Sequence, residues 1–476
     1  MKRVLAHAVL FLAAARAAAQ NLTGTQLDAV IAVLQANAQQ TWELGTECEA
    51  LTEYYAPSYA VFNASSLSPS APAPASLTPV LSIAHNVVAN RSASNSNKTG
   101  PQPLVYVSGG AAGDPASIGV AVLLANLTGQ QAEDGLDYAG AARDQLAYLL
   151  QDVPRTGDGA ISHRVEEVQL WSDSVYMVPP FLAYYGATAG NASLLTEAYT
   201  QVKLYRQYLF NGNVSLWRHI VLGNQTDAGH WSTGNAWAAA GMVRVLGTIQ
   251  HSAYAGSMRS QTNDLVAWVG EIHKGMYARQ QASGLFTNYA DEGSTFEDAS
   301  SAALLASTVY RLALLADVGT YISHAERARV ALSAAGDNGI SSSSSSSSSA
   351  NTSASASSDS SPSATIANTN STATSSLPAS TSTPSASPSY SAMAGLAHFT
   401  NQGYLTPVVD PYSWGAQASP GAVSPEGQAF VVEMQSAWRD WVLAGAPSAS
   451  AALPRAVTAW GWVVGASVGV VLMWGA

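Results

Sequence analysis

The stretch "SPEGQAFVVEMQSAWRDWVLAG", residues 424–445, decides how the rest of the chain is read. Ser424 stands where a helix cap belongs, and Pro425 falls at the first helical position, where its missing N–H costs nothing. Phe430, Val431, Met434, Trp438, Trp441 and Val442 then recur at helical spacing. Ahead of this helix lies a run rich in Ser, Thr, Ala, Asn and Pro, residues 341–390, that opens with nine serines. Such a run cannot bury a core and reads as a disordered, O-glycosylated insert. A stalk between two domains would need a second domain after it, and one helix is not a domain. The helix therefore completes a fold begun earlier, giving a single domain from residues 20–340 and 391–445.

Working back along the chain, twelve helical segments are expected. They begin near Thr25, Thr41, Ser76, Asp114, Gly135, Val168, Ala192, Thr233, Arg259, Phe296, His324 and Ser424. Strand alternation is scarce. Twelve helices joined by short loops make six helical hairpins, and six hairpins closed in a ring make an all-α (α/α)6 barrel with alternate helices inside. The even-numbered helices carry the unusual starts: "DPASIGVAVLLAN" (114–126), "WSDSVYM" (171–177), "HWSTGNAWAAAG" (230–241), "FEDASSAALLAS" (296–307) and "SPEGQAF" (424–430). If these are the inner helices, their N-termini converge on one mouth, where the helix dipoles favour an anionic ligand.

Composition narrows the function. Only 11% of the 476 residues are charged and the net charge is −11. No basic patch is visible, which argues against a nucleic-acid partner. "MKRVLAHAVLFLAAARAAA" (1–19) has the basic start, apolar run and small-residue end of a secretory signal peptide. Ten N-x-S/T sequons agree with secretion: Asn21, Asn63, Asn90, Asn97, Asn126, Asn191, Asn213, Asn224, Asn351 and Asn370. A single cysteine, Cys48, permits no internal disulfide and reads as a small buried residue. No CxxC or HExxH spacing points to zinc. Residues 456–476 are uncharged, long enough to span a bilayer and followed by no basic tail. With the small residues upstream, 446–476 reads as a GPI-attachment signal, the alternative being a C-terminal membrane span. Either one anchors the chain at the cell surface or wall, and the anchor is the only contact with a membrane that is expected.

The chemistry gathers around "VQLWSDSVYMVPP" (168–180), which sets one carboxylate, Asp173, among Trp171, Val175, Tyr176 and Met177. Two readings are open. Asp173 can cap a helix whose next turn is core, or it can be a proton donor whose pKa is raised by apolar walls. His163 and Arg164 lie shortly before it, and Arg218 and His219 follow in "LWRHIVLGNQ". Such donors suit a substrate that is itself an acid. Trp231 and Trp237 flank Gly234 and Asn235, as in a sugar-stacking wall, although core packing is equally compatible.

"W-x-D-x-x-Y-M-x-x-P" followed by "W-x-x-G-N-x-W" resembles the unsaturated rhamnogalacturonyl hydrolases of glycoside hydrolase family 105, relatives of the unsaturated glucuronyl hydrolases of family 88. The likeness is to the secreted fungal branch, through "GAISHR…QLWSD…YMVPPFLAYYG" and "GHW-x-TGN-x-WAAAGM-x-RVL". It runs over residues 25–336 and 391–443, including "LTPVVDPYSWG". The resemblance implies an (α/α)6 barrel that takes oligosaccharides ending in a 4,5-unsaturated uronic acid and needs no metal or cofactor. It implies that Asp173 protonates the C4=C5 vinyl ether, water adds at C5, and the hemiketal collapses to release the next sugar. Asp114 matches the second family aspartate, which assists or binds the sugar. Trp171, Met177, Trp231 and Trp237 match the pocket wall, and His163 and His219 match substrate-binding histidines. Where many bacterial relatives carry Arg in W-x-R-G-N-G-W, this chain has Thr233, so recognition of the substrate carboxylate shifts to Arg164, His163 or His219. Two other functions remain open: an ordinary inverting glycosidase using Asp114 and Asp173, and a GPI-linked wall protein that kept the fold without catalysis.

Overall fold

The structure, a computed structural model, describes residues 20–94, 100–336 and 390–448. The signal peptide, residues 341–389 of the Ser/Thr-rich insert and residues 449–476 of the anchor segment lie outside the described residues.

Among the described residues, twelve helices exceed two turns. They are α1 (Gly24–Asn37), α2 (Thr41–Tyr55), α3 (Thr78–Ser94), α4 (Gly119–Leu127), α5 (Tyr138–Gln151) and α6 (Ser174–Thr188), then α7 (Ala192–Leu209), α8 (Ser232–His251), α9 (Arg259–Tyr277), α10 (Ala299–Ala316), α11 (Ile322–Leu332) and α12 (Pro425–Leu443). The even-numbered helices pack side by side in a closed ring, α2 to α4 to α6 to α8 to α10 to α12 and back to α2, with the 3-10 turn Asp114–Ile118 making most of α4's contacts. Each odd-numbered helix lies outside this ring, against a neighbour in it. This is the expected (α/α)6 barrel with even helices inside.

Composition explains the sorting. Every residue of α10 from Ala299 to Ala313 is buried, and so is every residue of α8 from Ser232 to Ile249. A helix covered on all sides is free to be apolar all round. α10 is also the one helix, among the described residues, long and apolar enough to cross a membrane, and its burial in the ring accounts for that. Outer α9 buries one face, a stripe of Leu265, Val269, Ile272 and Met276 at three- and four-residue steps that widens to His273, Gly275 and Tyr277 in the last two turns. Close approach inside the ring needs missing atoms. Pro179 has no N–H for the Val175 carbonyl, and a Cβ on Gly241 of α8 would lie 2.1 Å from that carbonyl oxygen. Only glycine lets α8 pass there.

A buried ion network ties the ring together. Arg244 of α8 donates to Glu49 and Glu53 of α2, each at 2.6 Å, and lies 3.1 Å from Glu433 of α12. Arg311 of α10 pairs with Glu53 at 2.7 Å and with Asp440 of α12 at 2.6 Å. Tyr176 of α6 donates its hydroxyl to Glu433 at 2.6 Å. Burial pushes the Glu433 carboxyl up to about 7. Two partners in this network, Glu433 and Asp440, come from beyond the Ser-rich insert. We propose that the chain on both sides of the insert folds as one unit. Excising residues 341–388 and joining the ends with a short Gly/Ser linker should leave a single cooperative thermal transition. A fragment of residues 20–336, lacking α12, should not fold. An equal cooperative melt from that fragment would contradict the proposal.

Two helix starts differ from expectation. The sixth begins at Ser174 rather than Val168, because Leu170 and Trp171 instead form a short antiparallel ladder with Val221 and Ile220. Asp173 is thus the residue before the helix, and Trp171 is on a strand rather than on the helix face of Met177. The fourth enters through a 3-10 turn from Asp114, with Pro115 at its head, before α4 proper.

Candidate active site

The starts of the inner helices meet at one end of the ring. The Ser117 hydroxyl donates to the Thr41 carbonyl at 3.0 Å, joining the α4 entry to α2. A Cβ on Gly113 would lie 3.0 Å from the Ser174 hydroxyl and 3.2 Å from His163 Nδ1, so this glycine lets the Asp114 turn press against the start of α6. The Thr233 hydroxyl donates to Asp298 at 2.7 Å, joining α8 to α10. The loops above are laced by short ladders. Ala111 pairs with Arg164, Ile220 with Asp227, and Trp231 with Tyr289. These pairings set the functional side chains in place.

Asp114 and Asp173 share this mouth. Asp114 is buried, with one carboxylate oxygen 3.8 Å from His163 Nε2. Burial raises its carboxyl to about 6; His163 and Arg164 oppose the shift, and the charge of Asp173 adds to it. Asp173 occupies the N-cap position of α6 but makes no capping hydrogen bond. Its Oδ1 is buried with no protein hydrogen-bond partner. A capping aspartate would accept from the amides of the first turn, and this one does not.

Beside the carboxylates stands an aromatic box. His163 stacks on Trp171 at 4.6 Å between centroids, and His219 meets the edge of Trp171 at 5.5 Å. Trp231 lies 4.4 Å from His219. Trp414 closes the box, 5.4 Å from Trp171 and 5.1 Å from His219. Both histidines keep one buried ring nitrogen without a protein partner, Nδ1 of His163 and Nε2 of His219. Arg164 is partly exposed, its Nε 3.6 Å from a Glu166 carboxylate oxygen.

Of the residues singled out in the sequence, Asp114, Asp173, His163, Trp171, His219 and Trp231 come together here. Arg164 sits at the edge. Three are placed otherwise. The Thr233 side chain is buried and committed to Asp298, which caps α10 by accepting from the Ser300 and Ser301 amides. Met177 is buried in the core of α6. Trp237 is buried between Tyr176, at 4.5 Å, and Phe430, at 4.7 Å. Four further residues complete the site. Trp414 comes from the hairpin Val409–Gln417. Asn288 accepts from Trp231 Nε1 at 3.1 Å and donates to the Trp414 carbonyl at 2.8 Å, linking two walls of the box. Asp227 bonds to His219, and Tyr289 donates its hydroxyl to Asp227.

The α12 and α2 side of the mouth is acidic. Burial lifts Glu43, takes Glu47 to about 7, and takes Glu426 to about 8 with help from the Glu43 charge. Glu426 Oε2 is buried without a protein partner. A carboxyl whose pKa rises on folding favours the folded state below its unfolded pKa, and that contribution is lost as pH climbs through its folded value. Glu426→Gln removes this loss. The variant's melting temperature should exceed that of the wild type at about pH 9, and the gain should vanish towards about pH 5. An equal shift at both pH values would mean that ionisation of Glu426 is not the cause.

Comparison with known proteins agrees with the fold. Among the solved structures that share it are "a possible member of GH105 family" from Klebsiella pneumoniae (15% identical, 88% of this chain and 94% of that one covered, TM-score 0.58), a second so described from Salmonella enterica (14%, 87% and 94%, 0.54), and a "Glycosyl hydrolase family 88" protein from Bacteroides vulgatus (15%, 88% and 99%, 0.51). Among curated sequences, the unsaturated rhamnogalacturonyl hydrolase YesR of Bacillus subtilis is 24% identical over 186 residues. That match takes in 36% of this chain and 51% of the relative, so the chain spans about half the length of the curated relative it matches. The description of Glycosyl Hydrolase Family 88 matches residues 115–356, just over half of the chain, from the Asp114 turn through the Asp173 helix and the tryptophan-bearing start of α8. The chain belongs to glycosyl hydrolase family 88.

Proposed function

We propose that this protein removes a 4,5-unsaturated uronic acid, such as unsaturated galacturonic acid, from the non-reducing end of pectin-derived oligosaccharides. The observation that carries this reading is Asp173, whose buried carboxyl oxygen has no protein partner and which makes no capping bond, beside a second carboxyl and an aromatic box. A vinyl ether is a weak base and needs a positioned proton donor. Asp173 gives its proton to C4, and positive charge develops at C5 and the ring oxygen. Water adds at C5, returning a proton to the carboxylate. The hemiketal opens, and the hemiacetal left at C1 releases the next sugar. Asp114 supports this as a neighbour whose burial keeps it partly protonated near pH 6. The tryptophan faces stack on the sugar. With Thr233 bonded to Asp298, the substrate carboxylate falls to His163, His219 and Arg164. The description of the curated relative as an unsaturated rhamnogalacturonyl hydrolase favours galacturonyl-rhamnose substrates.

The test is incubation with unsaturated galacturonyl-rhamnose while the unsaturated-uronate absorbance is followed. Loss of the band with release of rhamnose supports the reading. Sugar release from saturated substrates only would favour an inverting glycosidase, in which Asp114 and Asp173 act as acid and base. Silence on both would favour a non-catalytic wall protein.

The same proposal sets the enzyme outside the cell, held at its surface by a GPI anchor, for which the uncharged run 456–476 is the support. Phosphatidylinositol-specific phospholipase should free it from intact cells. Residues 456–476 found in the mature protein by mass spectrometry would count against the anchor.

A further inference from the structure

His219 has one ring nitrogen bonded and the other without a partner in the protein. Its side chain is almost wholly enclosed, and Trp171, Trp231 and Trp414 surround the ring. Nδ1 lies 3.0 Å from Asp227 Oδ2, while Nε2 is buried with no partner in the protein. The same Asp227 oxygen accepts from the Tyr289 hydroxyl at 2.7 Å, and Oδ1 accepts from the Gly229 amide at 2.9 Å. Burial opposes ionisation of Asp227, but these hydrogen bonds outweigh it and hold the carboxyl below its ordinary range. Asp227 is fixed in turn by two backbone hydrogen bonds with Ile220, the residue after His219. Asp227, with only acceptors, leaves His219 Nδ1 a single role, that of donor.

We propose that Asp227 and Tyr289 are positioning residues that lock the His219 imidazole with its Nδ1 proton turned away from the mouth and its Nε2 dedicated to the bound sugar. This rests on reading the mouth as a sugar site. A buried ring nitrogen without a partner is costly to keep, and a tautomer lock is useful only if that nitrogen meets a ligand. Asn at 227 would keep the size but offer one acceptor oxygen to three donors. The Gly229 amide cannot turn away and holds the amide oxygen at the Oδ1 place, so the NH2 group faces Nδ1, and the ring would then have to accept there and carry its proton on Nε2.

The test is nitrogen NMR of the substrate-free, full-length protein at alkaline pH, where imidazole is neutral. The His219 signals, among nine histidines, are assigned with a His219→Gln variant. The wild type should show a protonated Nδ1 and a bare Nε2, and Asp227→Asn should invert the two. In kinetics on unsaturated galacturonyl-rhamnose, Asp227→Asn should lower kcat/KM by about tenfold or more, mainly through KM, as loss of uniform binding does. Asp227→Glu should recover part of it, and Tyr289→Phe should have a smaller effect. A wild-type proton on Nε2, an unchanged tautomer in Asp227→Asn, or an unchanged KM would overturn the proposal. The nitrogen signals need no substrate, so they decide the lock even if no unsaturated uronide is turned over, which would instead defeat the proposed function.

Discussion

Asp173→Asn should lower kcat on an unsaturated uronyl disaccharide by about 10²–10⁴-fold, the usual worth of a general acid–base group. KM should change little, because Asn fits the same space and is neutral like the protonated acid. The melting temperature should also hold. A capping aspartate typically contributes about 1 kcal/mol to its helix, but Asp173 makes no capping bond to lose. The two readings of this residue therefore predict opposite pairs of results. A proton donor gives lost turnover at constant stability, and a cap gives lost stability at nearly constant turnover. Asp114→Asn should cost less turnover than Asp173→Asn, since its role is to support the sugar and the neighbouring carboxyl. If Asp173→Asn keeps more than about a tenth of the wild-type rate, Asp173 is not the donor.

The largest stability effect should come from Arg244→Leu. Arg244 is buried and faces Glu49, Glu53 and Glu433. Removing one partner from a buried ionic group leaves uncompensated charge and costs about 3–5 kcal/mol. That is a large share of the roughly 5–15 kcal/mol by which domains are stable. Burial already raises Glu433 to about 7, so in the variant this carboxyl can escape part of the cost by taking a proton. The loss measured by urea denaturation should thus be smaller at about pH 5 than at about pH 8. A loss independent of pH would mean that packing of the guanidinium, and not its charge, is what the ring requires. Arg244→Leu should also loosen the Tyr176–Glu433 bond, which joins the Asp173 helix to α12.

How much of this was legible in the residues divides along sequence distance. Helical periodicity revealed twelve helices, and the composition of their starts sorted inner from outer. That worked because a helix enclosed on all sides, such as α10, needs Ala, Ser and Leu on every face, whereas α9 buries only one face. Periodicity failed where pairing between loops decides. Val168–Trp171 looked helical because a few apolar residues fit either period, and only the partner strand at Ile220–Val221 settles it. The motif around Thr233 points to a substrate-binding position, yet its hydroxyl is engaged by Asp298, 65 residues away. Trp414 and Asn288 meet across 126 residues. Asp227 and Tyr289 carry no signal of their own, since an acid and a tyrosine in separate loops gain meaning only when the tyrosine reaches the acid and the acid reaches a histidine.

The most direct measurement follows two signals in one reaction on unsaturated galacturonyl-rhamnose: the unsaturated-uronate absorbance and the free rhamnose. If Asp173 protonates C4 and water adds at C5, the double bond is consumed before the next sugar leaves. The absorbance should then fall no later than rhamnose appears. Rhamnose released while the absorbance persists would mean attack at the anomeric carbon and would contradict the account, as would silence in both signals.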